Sequence, residues 1–138
     1  MNEGEILIVE DNLLHSDLTW KIIKAFFTVY NSLGYGFLEK VYENAMVIEL
    51  RNMGLKVDQQ QSIIVYYENI PVGYYKSDIE VEGCVIIENK CSEELCEEDE
   101  YQLINYLKAT KMEVGLLLNF GKRPKFKRKI FKNENKHP

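Results

Sequence analysis

The stretch Ser77-Asp78-Ile79-Glu80-Val81-Glu82-Gly83-Cys84-Val85-Ile86-Ile87-Glu88-Asn89-Lys90 limits what this chain can fold into more than any other. Polar and apolar residues alternate up to the turn-forming pair Glu82-Gly83, and the apolar run Val85-Ile86-Ile87 follows it. That pattern predicts two strands joined by a tight turn. Side chains repeat every two residues along a strand, so Glu88 and Lys90 share a face. A short turn brings Asp78 close to Glu88 across the pair, and a three-residue loop would set them directly opposite. Two carboxylates and an ammonium then gather at the open end of a hairpin whose second strand is otherwise apolar. Charges in such a place are unfavourable unless paired or metal-bound.

Two carboxylates a few ångströms apart repel by roughly 1 kcal/mol in water, and by several at the lower effective dielectric of a protein. A divalent cation turns that repulsion into attraction, and hard oxygen ligands favour Mg²⁺ or Mn²⁺. The metal can polarise a phosphoryl oxygen and lower the pKa of bound water. Lys90, beside the carboxylates, can orient the attacking water or offset charge growing on the phosphate. The competing reading is a solvated surface hairpin, because acid–acid–lysine spacing of this kind often arises by chance.

With 138 residues, 46% of them hydrophobic and 28% charged, the chain has the size and composition of one globular domain. No apolar run reaches the length of a membrane span, and the acidic N-terminus is unlike a secretory signal. A cytoplasmic protein with no membrane partner is therefore expected. The three cysteines (Cys84, Cys91 and Cys96) form no C-x-x-C pair, and neither histidine is near them in sequence. They read as free thiols rather than a disulfide framework or a zinc site.

Charge is unevenly spread. Residues 122–138 carry eight Lys/Arg and one acid, a net +7, which leaves nine basic against twenty-one acidic residues, net −12, elsewhere. The segment Lys122-Arg123-Pro124-Lys125-Phe126-Lys127-Arg128-Lys129 has two readings, steering towards phosphate or guarding the edge of a sheet. A pI near 5.1 argues against charge-driven coating of DNA. It leaves room for a small metal-dependent site, where the cation itself offsets the acids.

In chain order, Ile6-Leu7-Ile8-Val9-Glu10-Asp11-Asn12 has the pattern of an opening receiver-domain strand, but no strand–helix alternation follows, so it is set aside. From Asp17, a capping residue, Thr19, Ile22, Ile23, Phe26, Phe27 and Tyr30 follow helical spacing, and Leu33-Gly34 ends the helix. A second helix is expected from near Phe37 to about Met53, with Leu38, Val41, Tyr42, Ala45 and Ile48 buried and Gly54 as its stop. Glu39 falls in its first turn, where the helix dipole favours a carboxylate by about 0.3–1 kcal/mol; that alone explains it structurally.

Ser62 to Tyr67 predicts a strand and Glu68-Asn69-Ile70-Pro71 a turn, with the two central strands starting from about Gly73. The acids Glu93, Glu94 and Glu97 to Glu100 lead into a third helix ending near Lys108 and read as its solvated start. On that helix Gln102 and Tyr106 share a face, with Leu103 and Leu107 on an adjacent apolar one. Val114 to Phe120 has the look of a sheet centre, and Phe126 to Phe131 of an edge strand. The order α-α-β-β-β-α-β gives a mixed sheet flanked by helices.

Several motifs recur in a known order. Gly36-Phe37-Leu38-Glu39-Lys40-Val41-Tyr42 resembles the signature of the GxxExxY-motif family. Tyr75-Lys76-Ser77-Asp78, Glu88-Asn89-Lys90, Gln102-Leu103-Ile104-Asn105-Tyr106-Leu107 and Gly115-Leu116-Leu117-Leu118-Asn119-Phe120 continue the resemblance. That family is placed in the PD-(D/E)XK nuclease-like superfamily, whose α/β core has an α-β-β-β-α-β order. The resemblance implies one domain over residues 17–131, between an N-terminal extension (1–16) and a C-terminal tail (132–138).

It also implies roles. Asp78 would be the metal-binding aspartate, Glu88 and Lys90 the E-x-K element, and Asn89 the donor of a backbone carbonyl to the metal. Glu39 resembles the first-helix glutamate that adds a ligand. Gln102 and Tyr106 match the Q-x-x-x-Y helix of the RecB-like branch, which lines the site and contacts substrate. Ser77 stands where the superfamily name has proline, which removes no ligand. Some RecB-like nucleases hold an iron–sulfur cluster on four cysteines; with three, none is expected here. The implied function is a Mg²⁺- or Mn²⁺-dependent nuclease acting on DNA or RNA. The alternative is a module that keeps the fold without turnover and binds nucleic acid or protein through Lys125, Lys127, Arg128 and Lys129.

Overall fold

The computed structural model describes residues 14–137, so the segment Ile6 to Asn12 lies outside them. The elements in order are α1 (Ser16–Leu33), α2 (Glu39–Asn52), β1 (Val57–Gln59), β2 (Ser62–Tyr67), β3 (Ile70–Lys76), β4 (Ile79–Val81), β5 (Val85–Lys90), α3 (Glu97–Lys108), β6 (Val114–Phe120) and β7 (Pro124–Ile130), with a 3₁₀ turn at Asn133–Asn135. Five strands form one sheet in the order β1-β4-β5-β6-β7, while β2 and β3 pair only with each other. Within the main sheet β5 and β6 run parallel and the remaining pairs antiparallel. This is the mixed sheet flanked by helices that the sequence predicts.

Strand alternation sorts the core into two layers. Val85 and Ile87 of β5, with Leu116, Leu118 and Phe120 of β6, pack on Ile22 and Phe26 of α1 and on Tyr42 and Met46 of α2. Tyr42 stacks on Phe120 at 4.4 Å and 18°, and Phe26 meets the same ring edge-on at 4.8 Å. On the other face Ile86 and Leu117 pack on Leu103, Tyr106 and Leu107 of α3, with Ile63 of β2. The helix α3 sits close because β6 carries Gly115 beneath it. A Cβ there would stand 2.6 Å from a methyl of Leu103. Gly115→Val is therefore expected to destabilise the protein by about 1–3 kcal/mol through overpacking. A thermal melt with an unchanged midpoint would show that α3 is not seated there.

Several expectations need correction. Residue 15, not Asp17, occupies the N-cap of α1, and Asp17 lies in its first turn. The helix α2 starts at Glu39 rather than Phe37, and its buried face is Tyr42, Glu43, Met46, Val47 and Leu50. Leu38, Val41 and Ile48 are exposed instead. The helix is turned because Glu43 faces inward, where Gln59 and Gln60 donate to its carboxylate at 2.7 and 3.0 Å. The strand expected from Gly73 onward is two strands in two sheets. The chain crosses between them at Ser77-Asp78, where Ser77 N–H donates to Gln61 O and Gln60 N–H to Asp78 O. Pro71 lies within β3, and β1 is an element the sequence did not reveal. Among the described residues no helix is long and apolar enough to cross a membrane.

Candidate active site

Between β4 and β5 the chain turns in three residues, Glu82, Gly83 and Cys84. Glu82 and Gly83 both take positive φ (54° and 61°), which matches the twist of a tight hairpin and suits Gly83 in particular. Ile79 pairs with Ile87, so one further step in register sets Asp78 opposite Glu88.

Each acid is held by a backbone amide from across the strand pair. Asp78 N–H donates to Glu88 Oε2 at 2.7 Å, and Asn89 N–H donates to Asp78 Oδ2 at 2.8 Å. Asp78 Oδ1 and Glu88 Oε1 have no protein donor among the described residues. Burial, and then the Asp78 charge, push the Glu88 carboxyl up to about 8. Burial also raises Asp78, against the Asn89 amide, which favours its charged form.

Lys90 and the α3 face close the other side. Lys90 Nζ lies 3.8 Å from Asp99 Oδ1 and 3.5 Å from Gln102 Oε1, and its charge favours ionisation of both Asp78 and Glu88. Tyr106, also on α3, is buried beside the same acids. Burial and then the charges of Glu88 and Asp78 push its phenol up to about 12. A family model of the PD-(D/E)XK nuclease superfamily matches residues 16–130. The chain belongs to that superfamily.

Among solved structures, the one described as "Crystal structure of SSO0001" is 14% identical, covers 67% of this chain and 50% of its own, and superposes with a TM-score of 0.46. The chain thus spans about half the length of that protein. A comparison with curated proteins found no match.

PD-(D/E)XK nucleases generally use divalent metals, so the donor set can be tested against one. Among the described residues, no three His, Cys, Asp or Glu side chains converge as a ready-made cage. Two do converge, each with one oxygen fixed by an amide and one left over. Mg²⁺ is commonly held by one or two carboxylates, with water and substrate phosphate completing its shell. Asp78 and Glu88 fit that partial set.

The remaining expected residues fall in different places. Glu39 is exposed at the start of α2, and its charge reaches Asp78 less strongly than that of Glu43. It also acts on Cys91, whose thiol burial pushes up to about 11. Glu43 and Asp99 are the acids that sequence reasoning missed. Glu43 sits one helical turn beyond Glu39, and that spacing was the available signal. Asp99 bonds the Cys96 amide as part of the α3 cap and still reaches Lys90, a double use that an acidic run conceals.

Asn89 exposes only 1% of its surface, and neither polar atom of its side chain has a partner. Leaving such a group unsatisfied costs about 1–3 kcal/mol. Asn89→Leu, nearly the same shape, is expected to raise the thermal midpoint; a fall would place a bound water at the amide. On β7, Lys127 and Lys129 both pair with Glu100 of α3, and Arg128 donates to the Leu14 carbonyl.

Proposed function

We propose that this chain is a divalent-metal-dependent phosphodiester hydrolase of the GxxExxY type, working on nucleic acid through residues 17–131. The observation that carries the reading is the Asp78–Glu88 pair. A half-buried and a buried carboxylate are pinned by opposite amides, and each keeps one oxygen clear. Such an arrangement stores repulsion that a cation relieves.

When bound, Mg²⁺ or Mn²⁺ would supply Lewis acidity at the phosphate and a more acidic water. Asp78 and Glu88 would hold it, with the Asn89 carbonyl as a further donor. Glu39, exposed at the rim, would complete the set through its charge. Lys90 brings a cation beside the acids and is tethered from α3 by Asp99 and Gln102, which fixes where it meets a phosphate. A positioned cation of that kind stabilises charge that grows in the transition state. Tyr106, buried on α3 within reach of the acids' charges and kept as a neutral phenol, can donate to a phosphate oxygen.

The alternative, a non-catalytic module docking through Lys125, Lys127, Arg128 and Lys129, has less support. Three of those four side chains already serve contacts within the fold. The test is incubation with single- and double-stranded DNA and RNA in Mn²⁺ or Mg²⁺, with a chelator as control. Metal-dependent cleavage of at least one substrate is expected. Intact substrates in all four cases would remove the hydrolase reading.

A further inference from the structure

The β2–β3 hairpin forms a sheet of its own beside α3, rooted in the core through Ile63. Between the arm and the helix lies a cleft of about 710 Å³. Tyr66 and Tyr75 line it from the arm, Tyr101 and Tyr106 from α3, with Gln102 and Asn105 between them. Three of the four rings are largely exposed: Tyr66 at 58%, Tyr75 at 50% and Tyr101 at 60%. Tyr75 and Tyr106 lie 5.7 Å apart and tilted by 50°, joining the arm to α3 across the cleft.

The acid pair is not part of the cleft wall, but two wall residues link the cleft to it: Gln102 contacts Lys90, and Tyr106 feels the charges of Glu88 and Asp78. A ligand lying along the cleft would therefore pass beside the acids. The lining also indicates which ligand. Aromatic faces accept any base by stacking, and side-chain amides can bond base edges. A duplex keeps its bases stacked inside and would show these rings only sugar and phosphate. The walls are poor in fixed cations, with one lysine (Lys108) and one acid (Glu98) beside His137 in the lining, so phosphate attraction alone has little to work with.

We propose that this cleft seats the unpaired bases of a single-stranded nucleic acid, so that the site takes single strands in preference to duplexes. The proposal rests on the hydrolase reading only for where the strand is cut. It is tested by fluorescence anisotropy with short labelled oligo(dT) and oligo(rU) strands and a blunt duplex of the same length, in chelator so that nothing is cleaved. Single strands should bind about tenfold or more tightly than the duplex. Tyr66→Ala and Tyr101→Ala, at exposed positions, should each weaken binding roughly 5- to 150-fold. Tyr66→Phe and Tyr101→Phe, which keep the ring, should bind nearly as the native chain does.

The comparison of dT with rU separates DNA from RNA. A duplex bound as tightly as a strand, alanine variants that bind unchanged, or no binding of any oligonucleotide would overturn the proposal. Cleavage in Mn²⁺ is then scored separately. Cleavage indifferent to the tyrosines rejects the cleft and keeps the hydrolase, whereas tyrosine-dependent binding without cleavage does the reverse.

Discussion

Asp78→Asn should give a folded protein at least as stable as the native chain and without metal-dependent cleavage. Asparagine keeps an oxygen for the Asn89 amide, so the strand pair loses no backbone bond. It removes a half-buried charge that burial and the nearby Glu43 charge disfavour. A metal held by the pair, as proposed, would lose one of its carboxylate ligands. Lewis-acid stabilisation is worth several kcal/mol at the transition state, so cleavage should fall on the order of a thousandfold or more. Calorimetry with Mn²⁺ should show binding lost in the variant. Lys90→Ala should instead keep metal binding and lose cleavage by about 10²–10³-fold, as removal of a positioned electrostatic group does. If Asp78→Asn cuts at a rate near the native one, the acid pair is not the reacting centre.

Without metal, stability should fall as the pH rises from about 4.5 to about 8. Below the ordinary Glu88 value of 4.5, both folded and unfolded chains carry the proton, and the fold keeps its full stability. Between 4.5 and about 8 the unfolded chain releases it while the folded chain retains it. The folded state then binds more protons, so each pH unit removes up to about 1.4 kcal/mol. Above about 8 both states are ionised and the loss is complete. Glu88 is faced by Asp78, by Glu43 from α2, by Lys90 on its own strand and by Tyr106 from α3. Asp78 and Glu80 are raised as well, and they add a slope of the same sign.

Thermal melts in chelator across that range measure the slope. Glu88→Gln should flatten it by about one proton's worth. Mn²⁺ should raise the midpoint near neutral pH, since a ligand bound only by the folded state stabilises it by mass action. Equal slopes in the native chain and Glu88→Gln would show that Glu88 titrates normally.

The sequence exposed what depends on neighbours in the chain. The β4–β5 hairpin follows from a period of two and a turn-forming pair, while the Asp78–Glu88 register depended on loop length and is set by a three-residue turn that includes Cys84. The helix α3 and the all-buried strand β6 were legible for the same reason. The orientation of α2 was not. Two apolar sets lie on that helix, one with Val41 and Ile48 and one with Met46, Val47 and Leu50, and periodicity alone cannot rank them. The choice is made by Glu43 meeting Gln59 and Gln60, sixteen and seventeen residues away. The split of β3 from β4 is equally remote in origin, because the alternating pattern runs through Ser77-Asp78 without a break while their backbone partners lie at Gln60 and Gln61. At the site, the acids on β4 and β5 were visible, and Asp99, which reaches Lys90 from α3, was hidden in an acidic run.

The paired amide bonds at Asp78 and Glu88 also bear on how such a chain can vary. Each acid is aimed by the backbone of the opposite strand, so replacing neighbouring side chains leaves the pair where it is. A change at residue 78 or 88 to the matching amide would keep those bonds and relieve the crowding of charge. Folding alone therefore does not require either carboxylate, and the strand pair would close as well around two amides.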